Sequence, residues 1–291
     1  MSDFKIAPIP FEKIAVAITL SPRVEELVCE GFYFAQSFKA KLYFIHIGNQ
    51  PDSEKLQAII DKHNLQDIPF EFISQEGEIV EALLTITKYL RVDLLIAGAL
   101  QKESPWRYIM GSISRRICRK AKCSVLMLNE PSLQPKGFSN MVVNCIDHPK
   151  TPMTIDSAVY ISNILKVSKL TLLKEDELHA MTTLAVANAS EDELSDRQLN
   201  QHIEEQKVFD ALHLKHHFNG LNVNFKSLKG KPGKEITNFA REEHADLLVV
   251  NSPDQEPGLL NRLFPHGLEL ALEDLPCSLL IIHSRNATVN A

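Results

Sequence analysis

Two short segments of this chain occur twice, in the same order. Val92-Asp93-Leu94-Leu95-Ile96 returns as Ala245-Asp246-Leu247-Leu248-Val249, and Cys123-Ser124-Val125-Leu126 returns as Cys277-Ser278-Leu279-Leu280. A repeat on this scale restricts the fold to two copies of one unit. Within the first copy, short apolar runs bounded by turn residues fall at 13–18, 41–47, 70–73, 93–100 and 124–128. The second copy places them at 141–146, 169–173, 222–228, 246–250 and 278–283. Between the first two runs Val24, Leu27, Val28, Phe32, Ala35 and Phe38 recur at three- and four-residue steps, and Ile79, Leu83, Ile86 and Leu90 do the same later. That is the spacing of amphipathic helices. Strands apolar on both faces that alternate with helices form a parallel sheet covered on both sides, with right-handed crossovers. The expected fold is therefore α/β: two tandem open parallel five-stranded sheets flanked by helices, Rossmann-like, arranged as an internal pseudo-dimer.

Matching Ile14 with Val142 gives an offset of 128 at the first strands, whereas Cys123 and Cys277 stand 154 apart. About 26 residues are thus extra in the second copy. The stretch 174–196 is their natural place, with the acidic clusters Glu175-Asp176-Glu177 and Glu191-Asp192-Glu193. It reads as a solvated loop or lid leading into a helix, or as a flap that binds a partner. Pro131, Pro135 and Gly137 mark 130–139 as a linker between a first domain, 1–129, and a second, 140–291. So short a linker predicts that the last strand of the first copy and the first strand of the second lie close together.

Charge and cysteine usage narrow the function classes. With 31 Lys+Arg against 37 Asp+Glu the net charge is −6, so no basic field exists to neutralise a run of phosphates and no nucleic-acid partner is expected. The five cysteines, Cys29, Cys118, Cys123, Cys145 and Cys277, are odd in number and far apart, as in a reduced cytoplasmic protein. No segment approaches the ~18 consecutive apolar residues of a spanning helix, and the first residues lack an export signal's basic start. The expectation is a protein neither exported nor inserted in a membrane.

Chemistry is best represented at Gly98, Gln101 and Gly111-Ser112, which lie between the fourth strand and the helix that follows. Glycines between a buried parallel strand and a helix N-terminus let backbone N–H groups and the helix dipole meet a phosphate. Ser112 and Ser114 would add hydroxyls there, although Ser is also a common helix cap. A strand, Gly-x2-(Gly)-x9-Gly-Ser, a helix and a Cys-x-Val-Leu strand resemble the ATP-binding signature of the universal stress protein family. Two copies in series look like its tandem members. The segments Ile14–Pro22, Leu42–Ile47 and Val142–Pro149 and the turn glycine Gly77 extend the likeness over nearly the whole chain.

The resemblance implies an adenine-nucleotide alpha-hydrolase-like fold in which an Asp closes the first strand near the adenosine. A backbone segment near the end of the second strand reads adenine, and the glycines hold the phosphates. Carried onto this chain, the first-domain cofactor site comprises Thr19, Ile47, Gly98, Gln101, Gly111, Ser112 and Ser114. Two of these depart from the family pattern: Thr19 stands at the Asp position and Gln101 at the middle glycine. Gln101 resists positive φ and fills space a phosphate would need. In the second domain Asp147 keeps the carboxylate, but Asn251-Ser252-Pro253-Asp254 replaces the first two glycines and Pro265-His266 replaces Gly-Ser. Pro265 has no N–H to donate, and Asp254 and Glu256 bring negative charge toward the phosphate end.

Other candidates are thinner. His213 and His217 have the i, i+4 spacing of a metal pair but no glutamate or third ligand accompanies them, so they read as solvated helix residues with His216. Cys118 and Cys123 are too far apart for a redox pair and read as packing. Trp106 either covers a ligand or anchors a domain contact. Arg115, Arg116, Arg119 and Lys120 read as a charged outer helix face. No nucleophile–base arrangement is evident. Two readings follow. In the first, a non-enzymatic regulatory or protective protein with degraded nucleotide sites acts through protein partners or a small ligand and is open to further homodimer assembly. In the second, the first domain alone binds ATP and hydrolyses it weakly.

Overall fold

The computed structural model describes residues 10–18, 23–49, 53–101, 108–109, 111–146, 148–177, 203, 206–208, 210, 212, 218, 220–230, 233–253 and 275–283. Its first half runs β1 (Lys13–Ala17), α1 (Val24–Phe38), β2 (Lys41–Ile47), α2 (Ser53–His63), β3 (Phe70–Gln75), α3 (Ile79–Leu90), β4 (Leu94–Gly98), β5 (Leu100–Gln101), β6 (Tyr108–Ile109), α4 (Ser112–Lys120) and β7 (Ser124–Leu128). The second runs β8 (Asn140–Asn144), α5 (Thr151–Leu165), β9 (Lys169–Glu177), β10 (Val223–Gly230), α6 (Lys234–Glu242), β11 (Leu247–Asn251) and β12 (Ser278–Ile282).

All ten long strands form one sheet in the order β10-β9-β8-β11-β12-β7-β4-β1-β2-β3. Every neighbouring pair is parallel except β12 with β7, which is antiparallel. Each half therefore has the same strand order, and the two halves join edge to edge through their last strands. At the seam Leu280 faces Leu126, flanked by Leu279 opposite Met127 and Ile281 opposite Val125. Leu126 and Leu280 are the same position of the two copies, so a pseudo-twofold axis runs between them.

This arrangement overturns one expectation. The last strand of the first half does not neighbour the first strand of the second, because β11 and β12 lie between β7 and β8. Three strand spacings amount to ~14 Å, well within the reach of the linker. The pairing is edge to edge: the last strand is one of the two edges of each half, and joining β7 to β12 protects both of those edges.

The ladders also correct the offset. Ile14 pairs with Leu94 as Met141 pairs with Leu247, so the copies are 127 apart at the first strands rather than 128, and 153 apart at the fourth. Extra chain lies between β9 and β10, where it was expected, but residues 174–177 are not loop. They continue β9 and pair with β10 through Glu177 opposite Gly230, which gives their backbone groups ladder partners. Residues 178–202 lie outside the described residues.

Alternate residues of each strand enter two cores, one on each face of the sheet. Ala15, Tyr43, Ile45, Leu95, Val125, Leu248 and Leu279 pack with α3, α4 and α6, while Ile14, Val16, Phe44, Ile96, Leu126, Val249 and Leu280 pack with α1, α2 and α5. Both cores cross the seam. On the second face an aromatic cluster also joins the halves: Phe11 and Phe38 meet Tyr160 with ring centroids 6.2 and 5.9 Å away. The repeated Asp has a structural task. Asp93 Oδ2 accepts from the N–H groups of Glu12 and Lys13 at 3.0 and 2.8 Å, and Asp246 Oδ2 accepts from those of Ser139 and Asn140 at 2.7 and 2.8 Å. Each carboxylate pins the start of its half's central strand.

Candidate functional site: the glycine cleft and its counterpart

From β1 the first half grows outward through β2 and β3, then returns to β4 on the other side of β1. In such sheets the ligand crevice opens at the carboxyl ends of the strands where the order reverses. Gly98 is the last residue of β4, buried and opposite Leu128. Ile47 closes β2 with its side chain in the core beside Val80 and Leu83, so what it offers a ligand is backbone. Gln101 lies in a two-residue antiparallel ladder, opposite Tyr108, and is not among the residues with positive φ. Leu100 pairs with Ile109 in the same ladder.

Gly111, the N-cap residue of α4 with φ −62° and ψ 166°, has no side chain with which to cap the helix, and the first turn of α4 holds no acidic residue. Ser112 at this end is exposed and Ser114 is buried. The neighbouring helix start is occupied differently. Glu78 Oε2 accepts from the Glu81 N–H at 2.8 Å, and its Oε1 accepts from Arg116 Nη1 at 2.8 Å. These bonds hold the Glu78 carboxyl below its usual range. Arg116, read as part of a charged outer face, is therefore engaged with α3. Thr19, Asp147, Trp106, Asp254, Glu256, Pro265, His266, His213, His216 and His217 lie outside the described residues.

The second half fills the corresponding place with its own side chains. Asn251 stands where Gly98 stands, at the end of β11. It is 3% exposed; its Nδ2 donates to Thr151 Oγ1 at 3.0 Å and its Oδ1 accepts from Thr154 Oγ1. Thr151 Oγ1 passes the chain on to the Ile146 carbonyl at 2.7 Å. In the first half the matching positions are Gly98, Val24 and Leu27, which have no polar side chain to make such a network. Lys150 adds a clamp, its Nζ donating to the carbonyls of Ser252 and Pro253, both at 2.9 Å. Where Ile47 ends β2, Glu175 stands on β9 and accepts from the N–H of Gly233 at 2.9 Å and of Ile236 at 2.8 Å. Burial nonetheless raises the Glu175 carboxyl above its usual range, against the pull of those two N–H groups. The start of α6 thus carries a carboxyl group from its own half.

The sequence motifs do not single out Thr151, Thr154 or Lys150, and they present Glu175 as part of an acidic loop and Asn251 as a replaced glycine. The signal lay in the pairwise match of the copies, where Thr151, Thr154 and Glu175 replace Val24, Leu27 and Ile47 at inward-facing positions. The cysteines behave as expected of packing residues: all five are free and buried, and burial pushes Cys118, Cys145 and Cys277 up to about 12 and Cys29 up to about 11. Such thiols are unreactive at neutral pH. Among the described residues no group of three or more His, Cys, Asp or Glu side chains could hold a metal ion, and no helix is long and apolar enough to cross a membrane.

The universal stress protein family model matches residues 49–129 and 165–283, one segment in each half. The chain belongs to the universal stress protein family. Membership places it among the stress-response proteins. The fold agrees: a functionally unknown protein, PA1789 from Pseudomonas aeruginosa PAO1, superposes with a TM-score of 0.70 at 14% identity, covering 94% of this chain and 92% of that one. A universal stress protein from Archaeoglobus fulgidus DSM 4304 gives 0.63 at 12% identity, with 94% and 99% covered. None of the curated proteins matches the sequence.

Proposed function

We propose that this tandem universal stress protein is a non-enzymatic regulatory protein of the cytoplasm that works by holding a protein partner or a small ligand. Its second domain, 140–291, serves as a structural mate for the first, 1–129, and no longer as a nucleotide site. The observation that carries this reading is Asn251, whose buried amide is committed to Thr151 and Thr154 where the first half has Gly98. A phosphate approaching that strand end would meet a filled space, and displacing the amide would cost the buried Thr151 and Thr154 hydroxyls one hydrogen bond each. The Lys150 clamp on the Ser252 and Pro253 carbonyls supports the same reading.

A second reading, ATP binding in the first domain alone with weak hydrolysis, draws on a separate observation. Gly98 and the uncapped start of α4 at Gly111 bring backbone N–H groups and a helix dipole to the crevice end of the sheet, with no acidic residue in the helix's first turn. Melting temperature with and without millimolar magnesium–ATP separates the two, measured on the wild type, Gly111→Val and Asn251→Ala. The leading reading expects no rise and no nucleotide turnover. A rise abolished by Gly111→Val but kept by Asn251→Ala establishes the second reading. Turnover lost on changing one cleft residue overturns the non-enzymatic assignment.

A further inference from the structure

Beside the seam, at the carboxyl end of β7 where Leu128 and Asn129 line it, lies a cavity of about 660 Å³. Its walls come from α1 (Glu30, Phe34), the linker (Asn129, Phe138) and the segment entering β12 (Leu275, Ser278). Its volume is that of a small-molecule site. A smaller cavity of about 350 Å³, around Thr87, Lys88, Arg91 and Cys123, is its pseudo-twofold mate. Only the larger one has the linker and Glu30; the position matching Glu30 in the second half is Ser157.

Two polar groups in this cavity have unmet needs. The Glu30 carboxylate is 7% exposed, and among the described residues its one hydrogen bond is from the Ser132 N–H at 3.1 Å. Among the described residues no cation offsets its burial, which pushes the carboxyl up to about 7. Asn129 is also 7% exposed, and its Oδ1 has no hydrogen-bond partner among the described residues. Its backbone N–H is already given to Ser278 Oγ at 3.2 Å. A buried carboxylate and a buried amide oxygen both accept hydrogen bonds, and a buried charge is ordinarily paired. Phe34 and Phe138, 5.9 Å apart between ring centroids, supply an apolar wall. The complement of such a site is a cationic head with several N–H donors on a short apolar stem.

We propose that this linker cavity binds a primary alkylammonium, its N–H groups donating to the Glu30 carboxylate and to Asn129 Oδ1 and its carbon chain lying against Phe34 and Phe138. The proposal does not depend on the nucleotide crevice, so Gly111→Val leaves it intact. Other charged groups around the cavity are Glu130 and Lys136 from the linker, Arg241 and His244 at the end of α6, and Asp246 before β11.

The test uses the whole chain and n-butylammonium, with n-butanol as the neutral match, followed by amide NMR and calorimetry. At about pH 8 the ammonium is expected to bind with a millimolar dissociation constant and to move the Asn129, Ser132 and Gly137 amide signals, whereas n-butanol binds at least about tenfold more weakly. Glu30→Gln keeps volume and an acceptor but removes the charge, and weakens the ammonium by about tenfold or more. Lowering the pH to about 6 weakens wild-type binding as Glu30 takes up its proton, and Glu30→Gln shows a smaller change over the same range. Equal binding of ammonium and alcohol, equal binding by wild type and Glu30→Gln, or no amide shifts around the linker would each overturn the proposal. Glu30→Gln removes a buried charge and is expected to fold; should it not, the ammonium–alcohol comparison on the wild type decides.

Discussion

The backbone N–H of Asn129 donates to Ser278 Oγ at 3.2 Å, and the same bond is made a second time by the His283 N–H to Ser124 Oγ, also at 3.2 Å. Asn129 and His283 are equivalent in the two copies, as are Ser124 and Ser278, so one interaction appears twice about the axis between Leu126 and Leu280. Each N–H lies just beyond the last residue of its strand, past the antiparallel ladder. The partner strand's first side chain completes the seam.

Removing either hydroxyl leaves a strand-end N–H to be satisfied by water or not at all. Ser124→Ala and Ser278→Ala should each cost ~1 kcal/mol, lowering the melting temperature by about 2 °C. Scanning calorimetry of the two single variants and the double variant measures this. A double variant as stable as the wild type would show that the hydroxyls contribute nothing to the seam.

The axis itself is apolar. Leu280 is 2% exposed and faces Leu126 in the core shared by both halves. Leu280→Ala should destabilise by ~2–5 kcal/mol, read from the urea midpoint, because the sheet around it is too constrained to collapse onto the gap. Tyr89→Ala is the comparison: that ring is 85% exposed, and its loss should change stability by no more than ~0.5 kcal/mol.

Much of this fold was legible because apolar runs and helical periodicity are local signals, and the repeated Ala/Val-Asp-Leu-Leu and Cys-Ser-x-Leu segments state the duplication outright. What was not legible depends on contacts between distant residues. Nothing near residue 128 says that β7 will pair with β12 rather than lie beside β8; that follows from which edges remain free once both sheets exist. Residues 174–177 look like a solvated acidic loop until β10 is in place to pair with them. At the candidate site, Gly98, Gly111 and Ser112 were found from their spacing, and the structure sets them at the crevice end of the sheet. Asn251 was noted only as a lost glycine. Its role as a filler became visible when Thr151 and Thr154 were seen 100 and 97 residues away in sequence, within hydrogen-bond reach of its amide.

That filler makes Asn251 a stability residue. Asn251→Ala removes one hydrogen bond from each of the Thr151 and Thr154 hydroxyls, which keep the Ile146 and Lys150 carbonyls as partners, and should cost ~0.5–1.5 kcal/mol per bond lost. Asn251→Gly, which restores the residue type of the first half, should be less stable still, since it adds backbone freedom in a strand. Chemical denaturation of both variants measures the order. Stability equal to the wild type in Asn251→Ala would mean that the amide network contributes nothing to folding.

Glu30 gives the molecule a pH dependence of defined sign. In the folded chain burial pushes its carboxyl up to about 7 from an ordinary 4.5. Between those values the folded state holds the proton and the unfolded state releases it, so folding binds protons and stability falls as pH rises. The contribution is fully present below about 4.5 and lost by the time pH passes about 7, a difference of about 3 kcal/mol. Glu30→Gln removes the titration while keeping the side chain's size and an acceptor for the Ser132 N–H. Urea unfolding of both proteins at about pH 5 and about pH 8 should show the variant gaining on the wild type by roughly that amount at the higher pH, the other titrating groups cancelling in the comparison. If the two proteins track each other across the range, the Glu30 carboxyl ionises in the folded chain as it does in the unfolded one.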